Sequence, residues 1–272
     1  MNKASKRWIG LAVAAALGVA ACANTTQDGA VGVQRSQFLA VSSQQMDQGA
    51  VEAYGKVIRD AQAKGLLNRD PVQVQRVRAI SQRLIPQTAV FRNDATSWKW
   101  EVNVLTSKEI NAWCMPGGKI AFYTGIIENL QMTDDEIAAV MGHEIAHALR
   151  EHSRERASRQ AVSGAIVGIG AALLGLGDVG SGLGNMVANA MFNLPNSREQ
   201  ETESDRIGVE LAARAGYDPR GAVRVWEKMS KLSQGAGGPA FLSTHPSNES
   251  RIRDLTEYAA RVAPLYEQAR KR

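Results

Sequence analysis

His143-Glu144-Ile145-Ala146-His147 is the stretch on which the reading of this chain turns. On an α-helix, positions i and i+4 share one face, so His143 and His147 can point at one ion. Glu144 lies about 100° further round the same helix, beside that ion and not on it. A carboxylate there can take a proton from a water that the ion activates. The flanks specify the helix. Thr133-Asp134-Asp135-Glu136 reads as a capping box with Thr133 as N-cap, and its acidic residues suit the positive end of the helix dipole. Ile137, Val140, Met141, Ile145 and Ala148 then repeat at helical period. Beyond His147, the run Arg150, Glu151, Arg154, Glu155 and Arg156 is expected to carry the helix into solvent. His152 lies in that charged tail, off the ligand face, and reads as a solvated side chain.

Two histidines do not complete a catalytic zinc site, which usually has three protein ligands and a water. The third is sought in Ser197-Arg198-Glu199-Gln200-Glu201-Thr202-Glu203-Ser204-Asp205. Ser197 with Gln200 is a second capping box, and Gly216 followed by Asp218-Pro219 closes that helix. Glu201 and Asp205 share a face that continues through Gly208 and Ala212, small residues that permit close helix packing. Glu199 and Glu203 lie about 200° away from Glu201. The expected ligands are therefore His143, His147 and Glu201, holding one zinc ion per chain, with Glu144 as general base. Asp205 is expected to accept a hydrogen bond from a ligating imidazole and so fix its tautomer.

His-Glu-x-x-His followed by Glu-x-x-x-Asp resembles the gluzincins. Asn111-Ala112-Trp113-Cys114-Met115-Pro116-Gly117-Gly118-Lys119-Ile120, Glu201-Thr202-Glu203-Ser204-Asp205-Arg206-Ile207-Gly208 and Ser243-Thr244-His245-Pro246-Ser247 are similar to the HtpX and CAAX prenyl protease family of zinc metallopeptidases. The similarity covers about residues 46–262 and is strongest to periplasmic lipoprotein members. The resemblance implies an α+β, mainly helical fold: a zincin-type metallopeptidase domain. It also implies cleavage of peptide bonds in envelope or membrane proteins, often damaged or misassembled, with zinc on His143, His147 and Glu201. Cys114 departs from the family, whose members commonly carry a small or apolar residue there. His245 lies in a Gly- and Pro-rich loop, Ser233 to Ser247. Beside a zinc cleft it has two roles open to it: stabilising the oxyanion of the tetrahedral intermediate, or occupying the zinc's open position and holding the enzyme off.

The N-terminus speaks of location. Lys3, Lys6 and Arg7 precede an apolar run from Trp8 to Val19, too short for a comfortable membrane span. Val19-Ala20-Ala21-Cys22 resembles a lipobox, so residues 1–21 are expected to be a lipoprotein signal peptide and Cys22 a lipidated N-terminus. Ala23 after that cysteine implies a bacterial outer-membrane anchor facing the periplasm. Residues 22–45, rich in Gln, Ser, Thr, Gly and Ala, read as a flexible tether. Residues 46–272 are left for one domain with a sizeable core. The net charge is +5, and without the three basic residues of the leader it is +2, which argues against a nucleic-acid partner. With Cys22 lipidated, Cys114 is alone and is expected to be buried and inert.

Residues 46–65 and 71–85 read as helices, the second opening on Asp70-Pro71. Trp98 to Val104 alternates as a strand does, and Trp113–Met115 with Lys119–Phe122 flank Pro116-Gly117-Gly118 as a hairpin would. A small sheet is therefore expected just before the active-site helix. Its edge is either a pairing site for extended substrate backbone or purely structural. Residues 161–197 carry one charge, Asp178, and many glycines. They read as an apolar helical lid or insert over the cleft, packed as core or dipping to a membrane surface. Asp218-Pro219 opens a helix through about Leu232, residues 248–262 form a closing helix, and Pro264 ends the domain.

The sum is an expected zinc endopeptidase acting on unfolded or misassembled envelope proteins in the periplasm, anchored to the outer membrane through its N-terminal lipid. Contact with outer-membrane assembly machinery is a further expected partnership. The alternatives are a tethered chaperone or assembly factor on a zincin scaffold, and a hydrolase of peptidoglycan peptides.

Overall fold

In the computed structural model, which describes residues 22–166, 179–232, 239–246 and 249–271, helices and strands begin close to their sequence signals. Strands β1 (Cys22–Ala23) and β2 (Gln37–Phe38) pair antiparallel. Helix α1 (Ser43–Ala63) starts at a capping box made by Ser42 and Gln45. Helix α2 (Pro71–Leu84) opens on Asp70, whose side chain accepts from the Val72 and Gln73 amides. Strands β3 (Glu101–Leu105), β4 (Ala112–Met115) and β5 (Lys119–Tyr123) form a sheet in the order β3-β5-β4. β3 runs parallel to β5, and β4 pairs antiparallel with it, Ala112 opposite Phe122 and Met115 opposite Lys119. The hairpin turn holds Gly117 and Gly118 at φ +72° and +80°. A Cβ on Gly118 would stand 2.6 Å from the Trp100 ring, so glycine is required there twice over.

Short α3 (Thr124–Asn129) leads into α4 (Asp134–Leu149), which carries the pentapeptide and is capped by the Thr133–Glu136 box. Then follow α5 (His152–Ile166), α6 (Val179–Phe192), α7 (Arg198–Arg214), α8 (Gly221–Leu232), α9 (Ala240–Thr244) and α10 (Glu249–Ala269). The architecture is α+β and mainly helical, of zincin type, with the small sheet directly before α4, as expected.

α4 is the centre of the core. Every residue from Glu136 to Leu149 is buried, and Ile137, Met141 and Ile145 share a cluster with Phe122, Ile207 and Leu211. Fully burying such a side chain contributes about 1.5–3 kcal/mol, so displacing α4 would be costly. α4 and α7 cross at Gly142 and Gly208. A Cβ on Gly208 would lie 2.7 Å from the His143 amide nitrogen, and one on Gly142 would lie 2.7 Å from the Gly208 carbonyl oxygen. With no side chain between the two backbones, the acidic helix sits directly on the histidine helix.

Three expectations are corrected. Residues 22–45 are not a loose tether. Val31, Val33, Leu39 and Val41 are buried, and the Ala30 and Val31 amides donate to Glu210 Oε2 at 2.8 and 3.0 Å. Average polarity concealed apolar residues spaced to dock one at a time. α4 does not run into solvent. It stops at Leu149, Glu151 turns the chain at φ +50°, and α5 starts at His152, so Arg150, His152 and Glu155 are buried. Pro264 does not end the last helix, which continues to Ala269. Val262 is in the core and Leu265 and Tyr266 pack against it, offsetting the hydrogen bond that proline removes. Of the alternatives left open for the 161–197 insert, its described parts are packed as core: Val187 and Ala190 of α6 are buried in a cluster with Met46 and Tyr54 of α1. Its residues 167–178, and the expected leader 1–21, lie outside the described residues. Among the described residues no helix is long and apolar enough to cross a membrane.

Candidate metal centre

His143 and His147 project from one face of α4, Glu201 and Asp205 from the facing side of α7, and His245 from the residue after α9. One ligand-type atom from each of His143, His147, Glu201 and His245 lies within 4.8 Å of all the others, and all four residues are buried. His143 Nε2 is 3.0 Å from His147 Nε2 and 3.2 Å from His245 Nδ1. Glu201 Oε1 is 3.3 Å from His147 Nε2 and 3.0 Å from His245 Nδ1, and Glu201 Oε2 is 3.6 Å from His143 Nε2.

Asp205 stands behind this group, its Oδ1 2.9 Å from His143 Nδ1. A neutral His143 that donates to Asp205 keeps Nε2 as an acceptor, turned towards the Glu201 carboxylate. Arg251 holds both acids. Its Nε and Nη2 donate to Asp205 at 2.5 and 2.8 Å, its Nη1 is 2.5 Å from Glu201 Oε2, and its guanidinium lies 3.6 Å over the Trp226 ring. Three imidazoles and a carboxylate thus converge in one buried site. Imidazole nitrogens with one carboxylate are the donor set of a zinc site, so the residues present fit that ion.

Glu144 is buried beside the group, and its Oε1 has no hydrogen-bond partner; His245 Nε2 is 3.5 Å away. Burial pushes its carboxyl above the ordinary range. Burial pulls His147 well below the usual imidazole range, so it is neutral. Burial also acts upward on Glu201, but its neighbours His245 and Arg251 outweigh it and hold that carboxyl well below the ordinary range.

A cleft of about 300 Å³ opens on Glu144, His147 and His245. Ala112, Trp113 and Cys114 of β4, an edge strand of its sheet, form one wall, and Met191 and Phe192 of α6 stand on another. Cys114 is buried there, its thiol pushed well above its ordinary range by burial. Cys22 is exposed in β1, remote in sequence from the group.

Sequence reasoning missed three side chains around the group. His152, read as solvated, is fully buried with Nδ1 2.8 Å from His147 Nδ1, because the chain reverses at Glu151 and returns it to the ligand helix. Glu203, on the far face of α7 from Glu201, is buried too, with His152 Nε2 at 2.9 Å and Arg35 Nε at 2.5 Å. Arg251, fifty residues along the chain from Glu201, had no local mark. For His152 and Glu203 the signal available was charge balance: Arg150, Glu155 and Glu203 flank the two metal motifs with opposite signs.

Residues 71–259 match peptidase family M48. The chain is 33% identical over 226 residues to the mitochondrial metalloendopeptidase OMA1 of Schizosaccharomyces pombe, covering 82% of this chain and 64% of that protein. It is 40% identical over 158 residues to the mitochondrial metalloendopeptidase OMA1 of Arabidopsis thaliana, covering 58% of this chain and 31% of that one. It is 24% identical over 220 residues to the beta-barrel assembly-enhancing protease of Escherichia coli, covering 78% and 44%. The chain thus spans 31–64% of the length of these relatives. They correct one expectation. A lipid-anchored place on a bacterial outer membrane does not stand beside relatives of 31–40% identity that are mitochondrial. A basic stretch, an apolar dozen and a four-residue motif are a short signal, unconnected with the metal chemistry that the family shares.

Proposed function

The chain belongs to peptidase family M48, and from that premise we propose that it is a zinc-dependent endopeptidase cleaving unfolded or misassembled proteins. The observation that carries the proposal is the meeting of His143, His147 and Glu201 beside Glu144, whose Oε1 makes no hydrogen bond, at a cleft lined by an edge strand. The substrate class draws support from a relative whose name is that of an assembly-enhancing protease. A finer placement beside HtpX and the prenyl proteases rests on the quoted sequence words alone.

In this reading His143, His147 and Glu201 hold the ion. When bound there, zinc would supply Lewis acidity, towards a carbonyl and towards a neighbouring water. Glu144 Oε1 takes the proton of the attacking water and hands it to the leaving amine. A buried carboxyl of raised pKa is suited to both transfers. Asp205, tied down by Arg251, orients His143. The outer edge of β4 receives substrate as an added strand, which makes little demand on side-chain sequence. Of its two roles, His245 takes the blocking one: Nδ1 stands among the ligand atoms, and the ring stacks on Phe241 at 4.2 Å and 16°. Its replacement by Ala is then expected to speed cleavage, whereas an oxyanion role would slow it.

The test is cleavage of an unfolded protein such as casein by the full chain, with and without chelator, beside Glu144→Gln. Expected are chelator-sensitive cleavage and a variant that retains stoichiometric zinc but cleaves about 10²–10⁴-fold more slowly. Undiminished cleavage by Glu144→Gln sinks the assignment. Prevention of aggregation without any cleavage favours an assembly factor on the same scaffold.

A further inference from the structure

His147 turns Nε2 to the metal group and Nδ1 away from it. That second nitrogen is 2.8 Å from His152 Nδ1, with both rings buried. Two nitrogens so close share one proton, and the question is which ring owns it. The answer lies further out. His152 Nε2 is 2.9 Å from Glu203 Oε2, and Glu203 is gripped by Arg35 Nε at 2.5 Å and Arg150 Nε at 3.1 Å. A carboxylate between two guanidiniums is ionised and can only accept. His152 Nε2 must therefore be the donor. A neutral imidazole has one N–H, so His152 Nδ1 is left as an acceptor, a role that also suits Ser204 Oγ at 3.3 Å. His147 Nδ1 must then donate to it, which leaves the Nε2 lone pair directed at the metal group.

We infer that Glu203 and His152 are positioning residues that fix the metal-binding tautomer of His147 through a two-imidazole relay. The inference rests on His147 being a ligand. It makes the site's two histidines differ in kind: His143 is oriented directly by Asp205, His147 indirectly by Glu203 through a second ring. It also gives the charged residues around α5 a task at the metal. Arg150 gives its Nη2 to the Arg35 carbonyl oxygen at 2.7 Å and its Nη1 to Thr26 Oγ1 at 3.2 Å, so the N-terminal segment and the relay are fastened together.

The experiment reads the tautomer without the metal. Long-range ¹H–¹⁵N spectra of the zinc-free full chain, with the four histidines assigned by single replacement, should show His147 protonated at Nδ1 and bare at Nε2. His152→Leu should mix the two tautomers and weaken zinc binding about 10–100-fold in chelator competition. His152→Gln restores an acceptor towards His147 and a donor towards Glu203, so its zinc affinity should stay within about threefold of wild type. Glu203→Gln, which removes the charge that demands the proton, should weaken zinc in the same direction as His152→Leu. If His152→Leu does not fold, His152→Gln and Glu203→Gln carry the comparison. An unchanged His147 tautomer with unchanged zinc affinity in His152→Leu or Glu203→Gln overturns the relay, whatever happens to the melting temperature. A wild type with the Nδ1–H tautomer that binds no zinc supports the relay and sinks the metal assignment instead.

Discussion

Glu155 shows how much of the chemistry here is set by single buried charges. Its side chain has no exposure, yet it stays ionised because Arg35 donates to both of its oxygens at 2.7 and 2.8 Å, with Gln200 at 2.9 Å. Burial alone would raise its pKa, but these donors bring it from 4.5 down to about 2. The folded value lies below the unfolded one. The stabilisation is therefore fully present above pH 4.5 and is lost as the pH falls towards 2. Between pH 5 and pH 3 the wild type should lose about 2 kcal/mol from this group, read as a fall in urea midpoint; Glu155→Gln should start lower and fall less. Equal slopes in both proteins would count against the ion pair. None of this was readable locally. Arg35 and Glu155 are 120 residues apart, and in the sequence Glu155 is one more charge in a polar run. Glu144 is the opposite case, because its place depends only on its position between two histidines on one helix.

At the scale of elements, the crossing of α4 and α7 decides whether a metal site exists. Replacing a helix glycine by alanine ordinarily stabilises by about 1 kcal/mol. At Gly208 the added methyl would meet the His143 amide nitrogen at 2.7 Å and the Gly142 carbonyl carbon at 2.9 Å, both backbone atoms that cannot swing aside. Gly208→Ala should therefore destabilise by about 1–3 kcal/mol and weaken zinc binding as the helices part, measured by thermal unfolding and chelator competition. A more stable variant with full zinc affinity would show that the crossing is looser than drawn. The starts of both helices were readable, since the Thr133–Glu136 and Ser197–Gln200 boxes each lie within four residues. The break after Leu149 was not. Arg150-Glu151 contains neither glycine nor proline, yet Glu151 adopts φ +50°, and the residues on either side of it, Arg150 and His152, both reach the distant Glu203 Oε2.

At the scale of the whole molecule, the N-terminal segment is a strap across α5 and α7. Gln37 is fully buried, its Nε2 donating to the Arg150 carbonyl oxygen at 2.5 Å, while Arg35 closes over Glu155 and Glu203. A chain lacking residues 1–42 leaves Arg150, Glu155 and Glu203 without these partners. It should lose about 3–5 kcal/mol, near 10 °C in thermal midpoint, in the zinc-free protein. A loose tether could be removed at no cost, so an unchanged midpoint would restore that reading. By itself the sequence determined the pairing of His143 with His147, the place of Glu144, the shared face of Glu201 and Asp205, and where the helices start. Those depend on helical period and on hydrogen bonds that span three or four residues. Only the tertiary structure decided that His152 and Glu203 are buried behind His147, that Arg251 holds Asp205 and Glu201, and that the strap is packed. The physical reason is that desolvation and ion pairing depend on distance in space, and the partners that make a buried charge tolerable come from segments 45 to 180 residues away.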